Sequence, residues 1–198
     1  MLGALVAFAP VAALLTLTPG AATAMVVRSA VSGGRRRALL TTVGNSLGVL
    51  AWGCFAAMGI AAVVATSAEA FTAVKLAGAV VLVVLGLQSL RGHREPARPA
   101  RGAPLRDGLV TSLANPKLAV FFVALFPQFV PAGASVLLSA LLMAAMVVAF
   151  DLVWFSALAY LVARARRAFV EGPWLARVER VTGAVLVGLG VRLAFERR

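Results

Sequence analysis

Long stretches of this chain carry no charged residue at all. Residues 1–27, 38–68, 76–90, 118–150, 152–163 and 181–191 are free of Asp, Glu, Lys and Arg. A helix needs about 20 apolar residues to cross a hydrocarbon core about 30 Å thick. The runs 1–27 and 38–68 are each one span. The run 118–150 is too long for one helix, and Pro127-Gln128-Phe129-Val130-Pro131-Ala132-Gly133 supplies the turn chemistry that divides it. The pattern predicts six transmembrane helices over 3–26, 39–65, 72–90, 108–128, 135–162 and 179–196. The fold class is an all-α integral membrane protein.

Composition removes the alternatives. Hydrophobic residues make up 62% of the chain and charged ones 13%, against about 25% charged in a soluble domain. A soluble fold of 198 residues leaves too much surface in water to hide such a composition. A disordered chain would need low hydrophobicity. The lone Cys54 excludes an internal disulfide framework, a CxxC redox pair and a cysteine zinc site. No cofactor is expected.

The net charge of +12 would suggest nucleic acid in a soluble protein, but here the basic residues fall between spans, so no nucleic-acid partner is expected. Arg28, Arg35, Arg36 and Arg37 follow span 1. The stretch 91–107 between spans 3 and 4 holds five Arg. Arg164, Arg166, Arg167, Arg177 and Arg180 follow span 5. The opposite connections hold Glu69 and, at the start of span 3, Lys75. By the positive-inside rule the basic connections are cytoplasmic and both termini lie outside. Ala22-Thr23-Ala24 resembles a signal-peptidase site. With no basic residue before the apolar run and four Arg after it, an uncleaved helix is expected.

The chain also repeats. Lys75, Gly78, Ala79 and Val80 in span 3 align without a gap with Arg180, Gly183, Ala184 and Val185 in span 6, and spans 1 and 4 each carry an interior proline, Pro19 and Pro116. The reading is a three-helix repeat over 1–90, an Arg/Pro-rich cytoplasmic linker over 91–107, and a second three-helix repeat over 108–198. Three spans per half force opposite polarity on the two halves, a 3+3 inverted repeat of the kind secondary transporters use for alternating access.

The polar residues inside the spans are the candidate substrate and ion site. Thr18-Pro19-Gly20 should break span 1, since Pro removes a backbone donor and freed backbone groups in lipid must be re-satisfied or line a cavity. Thr16, Pro19, Gly20 and Thr23 fall on one face, so the functional reading is a broken helix whose exposed backbone and hydroxyls touch a polar substrate; the alternative is a plain structural kink. In span 4, Asn115 precedes Pro116 and is pushed away from α geometry, which opens that helix too. Lys117 either lines the site or snorkels to the interface. Asp151 interrupts span 5 and has no stem with which to reach the interface, so a functional carboxyl is favoured over packing. Thr41, Asn45, Gly48 and Trp52 share one face of span 2, and Gly44-x-x-x-Gly48 is a helix-packing pattern; Asn45 could still face a cavity. His93 is expected to be solvated and Cys54 to be a small buried apolar residue.

These residues resemble the lysine exporter (LysE/RhtB) family of bacterial amino-acid exporters. The matching pieces are Thr18-Pro19-Gly20, the basic stretch through Arg37 with Gly44 and Gly48 after it, Lys75-x-x-Gly78-Ala79, Asn115-Pro116-Lys117 followed by Phe121-Phe122 and Phe126-Pro127-Gln128-Phe129-Val130, and the ending Gly183 to Leu193. The resemblance implies a membrane protein of about six spans that exports an amino acid, driven by a proton or other ion gradient, in contact with membrane lipid and as a possible homo-oligomer. The family's Thr-Pro-Gly-Pro departs here to Ala21 at its last position. A membrane thiol-redox enzyme would need paired cysteines. A scaffold would need no polar groups at mid-membrane. An ATP-driven pump would need a GxxxxGK[ST] loop, which the chain lacks.

Overall fold

The computed structural model describes residues 1–66 and 102–164, with scattered positions within 72–90 and 180–195. All secondary structure among the described residues is helical. Expectations for the spans 72–90 and 179–196, for the linker through residue 101, and for His93 lie largely outside the described residues.

Helix α1 (Leu2–Leu17) buries Phe8, Ala12, Leu15 and Thr16, the i, i+4, i+7, i+8 stripe of an amphipathic contact. It stops where the sequence requires. Thr18, before Pro19, takes φ −62° and ψ 114°, the extended geometry a following proline imposes.

Hydrogen-bonded helix resumes as α2 (Ala21–Thr66), which is two limbs and not one rod. Gly33 and Gly34 leave helical geometry, and Gly34 takes φ 69°, which disfavours any residue with a Cβ. The Thr41 hydroxyl donates to Ser29 Oγ at 2.9 Å. Along a straight helix these residues would be about 18 Å apart, so the chain folds back at the glycine pair. The basic stretch 28–38, read from sequence as a loop, is therefore helical except at Gly33 and Gly34, and span 1 runs past residue 26 to this turn. The reason is local: Arg is a good helix former, and two glycines suffice for the reversal.

Helix α3 (Pro104–Leu113) begins before the expected residue 108 because Pro104 occupies its first turn with Asp107, both favoured at a helix start. Ala114 and Asn115 interrupt the helix. The short α4 (Pro116–Val120) follows, then a π-helical turn at Phe121–Leu125 and a 3-10 turn at Phe126–Phe129. The two arms bend by 49°. Helix α5 (Val136–Arg164) is long and apolar enough to cross a membrane and agrees closely with the predicted span 135–162.

The packing orders these elements by depth. One apolar cluster joins Phe8, Ala12, Leu15 and Val49 with Phe121, Phe122, Phe126 and Ala140, Met143, Ala144 and Val147 of α5. The other joins Val26, Ala30 and Ala38, around the Gly33–Gly34 turn, with Phe155, Leu158, Ala159 and Val162. Met1 meets Ser139 at one end, 3.7 Å from its hydroxyl. At the other end the Arg35 guanidinium lies over the Tyr160 ring at 5.7 Å, Arg164 reaches the Tyr160 hydroxyl at 3.3 Å, and Arg37 donates to the Gly102 carbonyl at 2.7 Å and lies 3.6 Å from Asp107. Basic residues gather at one pole of the molecule.

The second limb of α2 and α3 are in close backbone contact. A Cβ on Gly44 would stand 2.0 Å from the Leu105 carbonyl oxygen, and one on Gly108 would stand 2.0 Å from that of Thr41. The Gly44-x-x-x-Gly48 pattern is a packing surface, with Gly48 against Ser112. Trp52 Nε1 donates to the Ser112 carbonyl at 3.1 Å.

Candidate functional site

Asp151 is the sixteenth of the 29 residues of α5. It sits between Val147 of one apolar cluster and Phe155 of the other. At that depth a carboxyl is costly without partners, and it has two. The Thr16 hydroxyl donates to Oδ1 at 2.7 Å, and Asn45 Nδ2 donates to Oδ2 at 2.9 Å. All three side chains are buried. Three helices thus converge on one acid.

A second polar group adjoins the first. A helical residue at position 19 would donate its N–H to the carbonyl of Leu15, four residues back. Pro19 has no N–H. The Leu15 carbonyl takes instead the Lys117 ammonium at 3.1 Å, which also donates to the Thr18 carbonyl at 3.1 Å. A cation at the C-terminus of α1 is favoured by the helix dipole as well. The Thr18 hydroxyl turns back to the Leu14 carbonyl. Thr16, which holds Asp151, adjoins Leu15, which holds Lys117. The broken end of α1 therefore binds both charged side chains, and Lys117 lies within electrostatic reach of Asp151.

The opening in the other broken helix aims Lys117. Asn115 takes φ −83° and ψ 110°, and its side chain accepts from the Lys117 backbone N–H at 3.0 Å. It is an N-cap, with Pro116 at the first helical position. Lys117 follows directly and its stem reaches across to α1.

The sequence-derived residues fall into two adjoining groups. Asn45 and Asp151 touch each other. The Thr18 carbonyl, at the break made by Pro19, accepts from the Lys117 ammonium, Asn115 and Pro116 start the helix that carries Lys117, and Gly20 adjoins the ammonium: a Cβ there would stand 3.6 Å from Nζ, an ordinary contact. Lys117 is half-buried and directed at α1. The polar face of α2 divides: Asn45 meets Asp151, whereas Thr41, Gly48 and Trp52 serve helix packing. Cys54 is a half-buried free thiol. The Leu15 carbonyl is a participant the sequence reading did not name. Counting four residues back from Pro19 would have found the carbonyl. Thr16 lies on the face read from the sequence together with Pro19 and Gly20, and its partner proves to be Asp151.

The LysE type translocator family matches residues 13–197. The chain belongs to the LysE type translocator family. Among its relatives in that family, a membrane protein of Vibrio cholerae is 32% identical over 190 residues, covering 92% of each chain. The threonine efflux protein of Escherichia coli is 29% identical over 195 residues, covering 91% of this chain and 92% of that one. The homoserine/homoserine lactone efflux protein of Salmonella typhimurium is 28% identical over 191 residues, covering 93% and 92%. No solved structure matches the chain. The translocator is a multi-pass membrane protein, as its apolar helices and its membrane relatives agree.

Proposed function

We propose that this translocator exports amino acids or similar small zwitterions from the cytoplasm, and that uphill movement is coupled to protons through Asp151. The observation that carries the reading is the convergence at mid-depth of one carboxyl and one ammonium on the broken end of α1. A zwitterion offers the complementary pair of charges. Lys117 receives its carboxylate by exchanging the Leu15 and Thr18 carbonyls for it. Asp151 receives the amino group or carries the proton. Thr18, Gly20, Asn45 and Asn115 offer uncharged polar groups beside them. The family and the efflux relatives support amino-acid export, and the names of those relatives make threonine and homoserine the first substrates to try.

The architecture in this reading is the 3+3 inverted repeat, residues 1–90 and 108–198 about the linker. The two breaks correspond across it: Thr18-Pro19 and Asn115-Pro116 both set an extended residue before a proline at mid-span. Broken helices meeting at the repeat interface are where such carriers bind substrate. The basic pole, with Arg35, Arg37 and Arg164, is cytoplasmic in a bacterial inner membrane and the Met1 end is external. The deciding experiment loads cells with mixed dipeptides and reads which amino acids leave in excess of a strain lacking the gene. Equal efflux of every amino acid with and without the gene overturns the reading.

A further inference from the structure

We propose that Thr16 is the positioning residue that transmits the protonation state of Asp151 to the broken end of α1. The inference rests on the proton-coupling role of Asp151 proposed above.

Both Asp151 oxygens accept, one from the Thr16 hydroxyl and one from the Asn45 amide nitrogen. That set is complete for an ionised carboxyl, which only accepts. A protonated carboxyl must donate from one oxygen, and the two partners then differ. An amide nitrogen cannot accept, so Asn45 would have to turn its whole amide over. Its Oδ1 is itself buried with no hydrogen-bond partner among the described residues. A threonine hydroxyl both donates and accepts. Thr16 alone answers the new proton by rotating its own O–H.

The rotated hydrogen needs an acceptor, and in a helix the acceptor within reach is the carbonyl four residues back, here Ala12. Such back-bonding bends the helix at that turn. Thr16 lies in the last turn of α1, two residues before the break. The same turn presents the Leu15 carbonyl, and the break just after it presents the Thr18 carbonyl, to Lys117. A bend there loosens both contacts and frees the ammonium to exchange partners. Among the described residues, Lys117 is the charged group that acts on Asp151 from the surrounding elements, so the response to pH at this point runs between these two side chains through Thr16. Asp151 binds or releases the proton; Thr16 moves its own hydroxyl hydrogen and none is gained or lost there.

The test needs no substrate. An environment-sensitive fluorophore is attached at Ala21→Cys, just past the break, in a Cys54→Ser background, with the whole chain in lipid vesicles. Emission is followed between neutral and acid pH. A pH-dependent change is expected in the parent, lost in Thr16→Val, which keeps the shape without the hydroxyl, and restored in Thr16→Ser. Asp151→Asn should also abolish it. If Thr16→Val responds as the parent does while Asp151→Asn does not, the Thr16 proposal is overturned and the reading of Asp151 stands. Loss in both Thr16→Val and Thr16→Ser means the hydroxyl is not the cause and likewise overturns it. A response that survives in Asp151→Asn, or is absent from the parent, removes the reading of Asp151 and the proposal with it.

Discussion

The Thr16 hydroxyl lies 2.7 Å from the Asp151 carboxyl, across 135 positions of sequence and on a different helix. The contact ties the end of α1 to the middle of α5. The next residue toward the N-terminus, Leu15, holds Lys117 through its carbonyl. A single helix turn thereby joins the two charged side chains of the candidate site, and the experiments below separate what each part does.

Asp151→Asn keeps the size but cannot titrate, and its amide nitrogen donates where one carboxyl oxygen accepted. Expression should be normal and downhill exchange retained, with loss of uphill accumulation driven by a pH gradient. The measurement is uptake of labelled amino acid into inside-out vesicles, with and without an imposed gradient. An Asn variant that still concentrates substrate reduces Asp151 to packing or substrate contact.

Pro116→Ala permits a more continuous α3–α4 helix and should withdraw Lys117 from the Leu15 and Thr18 carbonyls. The variant should reach the membrane in normal amount and export poorly. Normal export in the same cells would show that the proline is only a kink.

Lys117→Met leaves the Leu15 carbonyl without its donor. Losing a partner from a buried polar group costs about 1–3 kcal/mol, so the purified protein should unfold at a lower temperature. Pro19→Ala in the same chain returns an N–H to Leu15 and should recover part of that stability without recovering export. Thermal melts of the two single variants and the double variant read the coupling directly. Strict additivity would show that Lys117 does not substitute for the donor missing at Pro19.

Gly108→Ala places a Cβ 2.0 Å from the Thr41 carbonyl oxygen. The backbones must separate, and overpacking of this kind costs about 1–3 kcal/mol or more. Asn45 lies beside the same contact, so export should fall together with the melting temperature. A variant that melts with the parent would show that the two helices are not in backbone contact.

Cysteines at Gly34, Ala103 and Ala168 in a Cys54-free chain should resist an impermeant thiol reagent in intact cells, whereas one at Ala68 should react. The first two positions flank the Arg37 cluster at the basic pole. The reverse labelling would place that pole outside.

Much of this protein follows from the sequence alone, because lipid removes most alternatives. Charge-free runs such as 118–150 and 38–68 state where helices lie, since backbone polar groups in a bilayer must bond within their own helix. The prolines state where helices open, since each deletes a donor and bars α geometry to the residue before it; Thr18 and Asn115 both obey. Glycine spacing at 44 and 48 marked a packing face because only a missing Cβ admits a backbone so close. Tertiary structure decided the rest. Whether 28–38 was a loop or helix turned on two glycines reversing the chain, which a basic composition does not reveal. Whether Lys117 snorkelled or turned inward depended on where the orphaned Leu15 carbonyl came to lie. The partners of Asp151 came from residues 106 and 135 positions away. Sequence specifies which groups need a partner; only the packed helices decide which partner is within 3 Å, because hydrogen bonding fails over distances that sequence cannot measure.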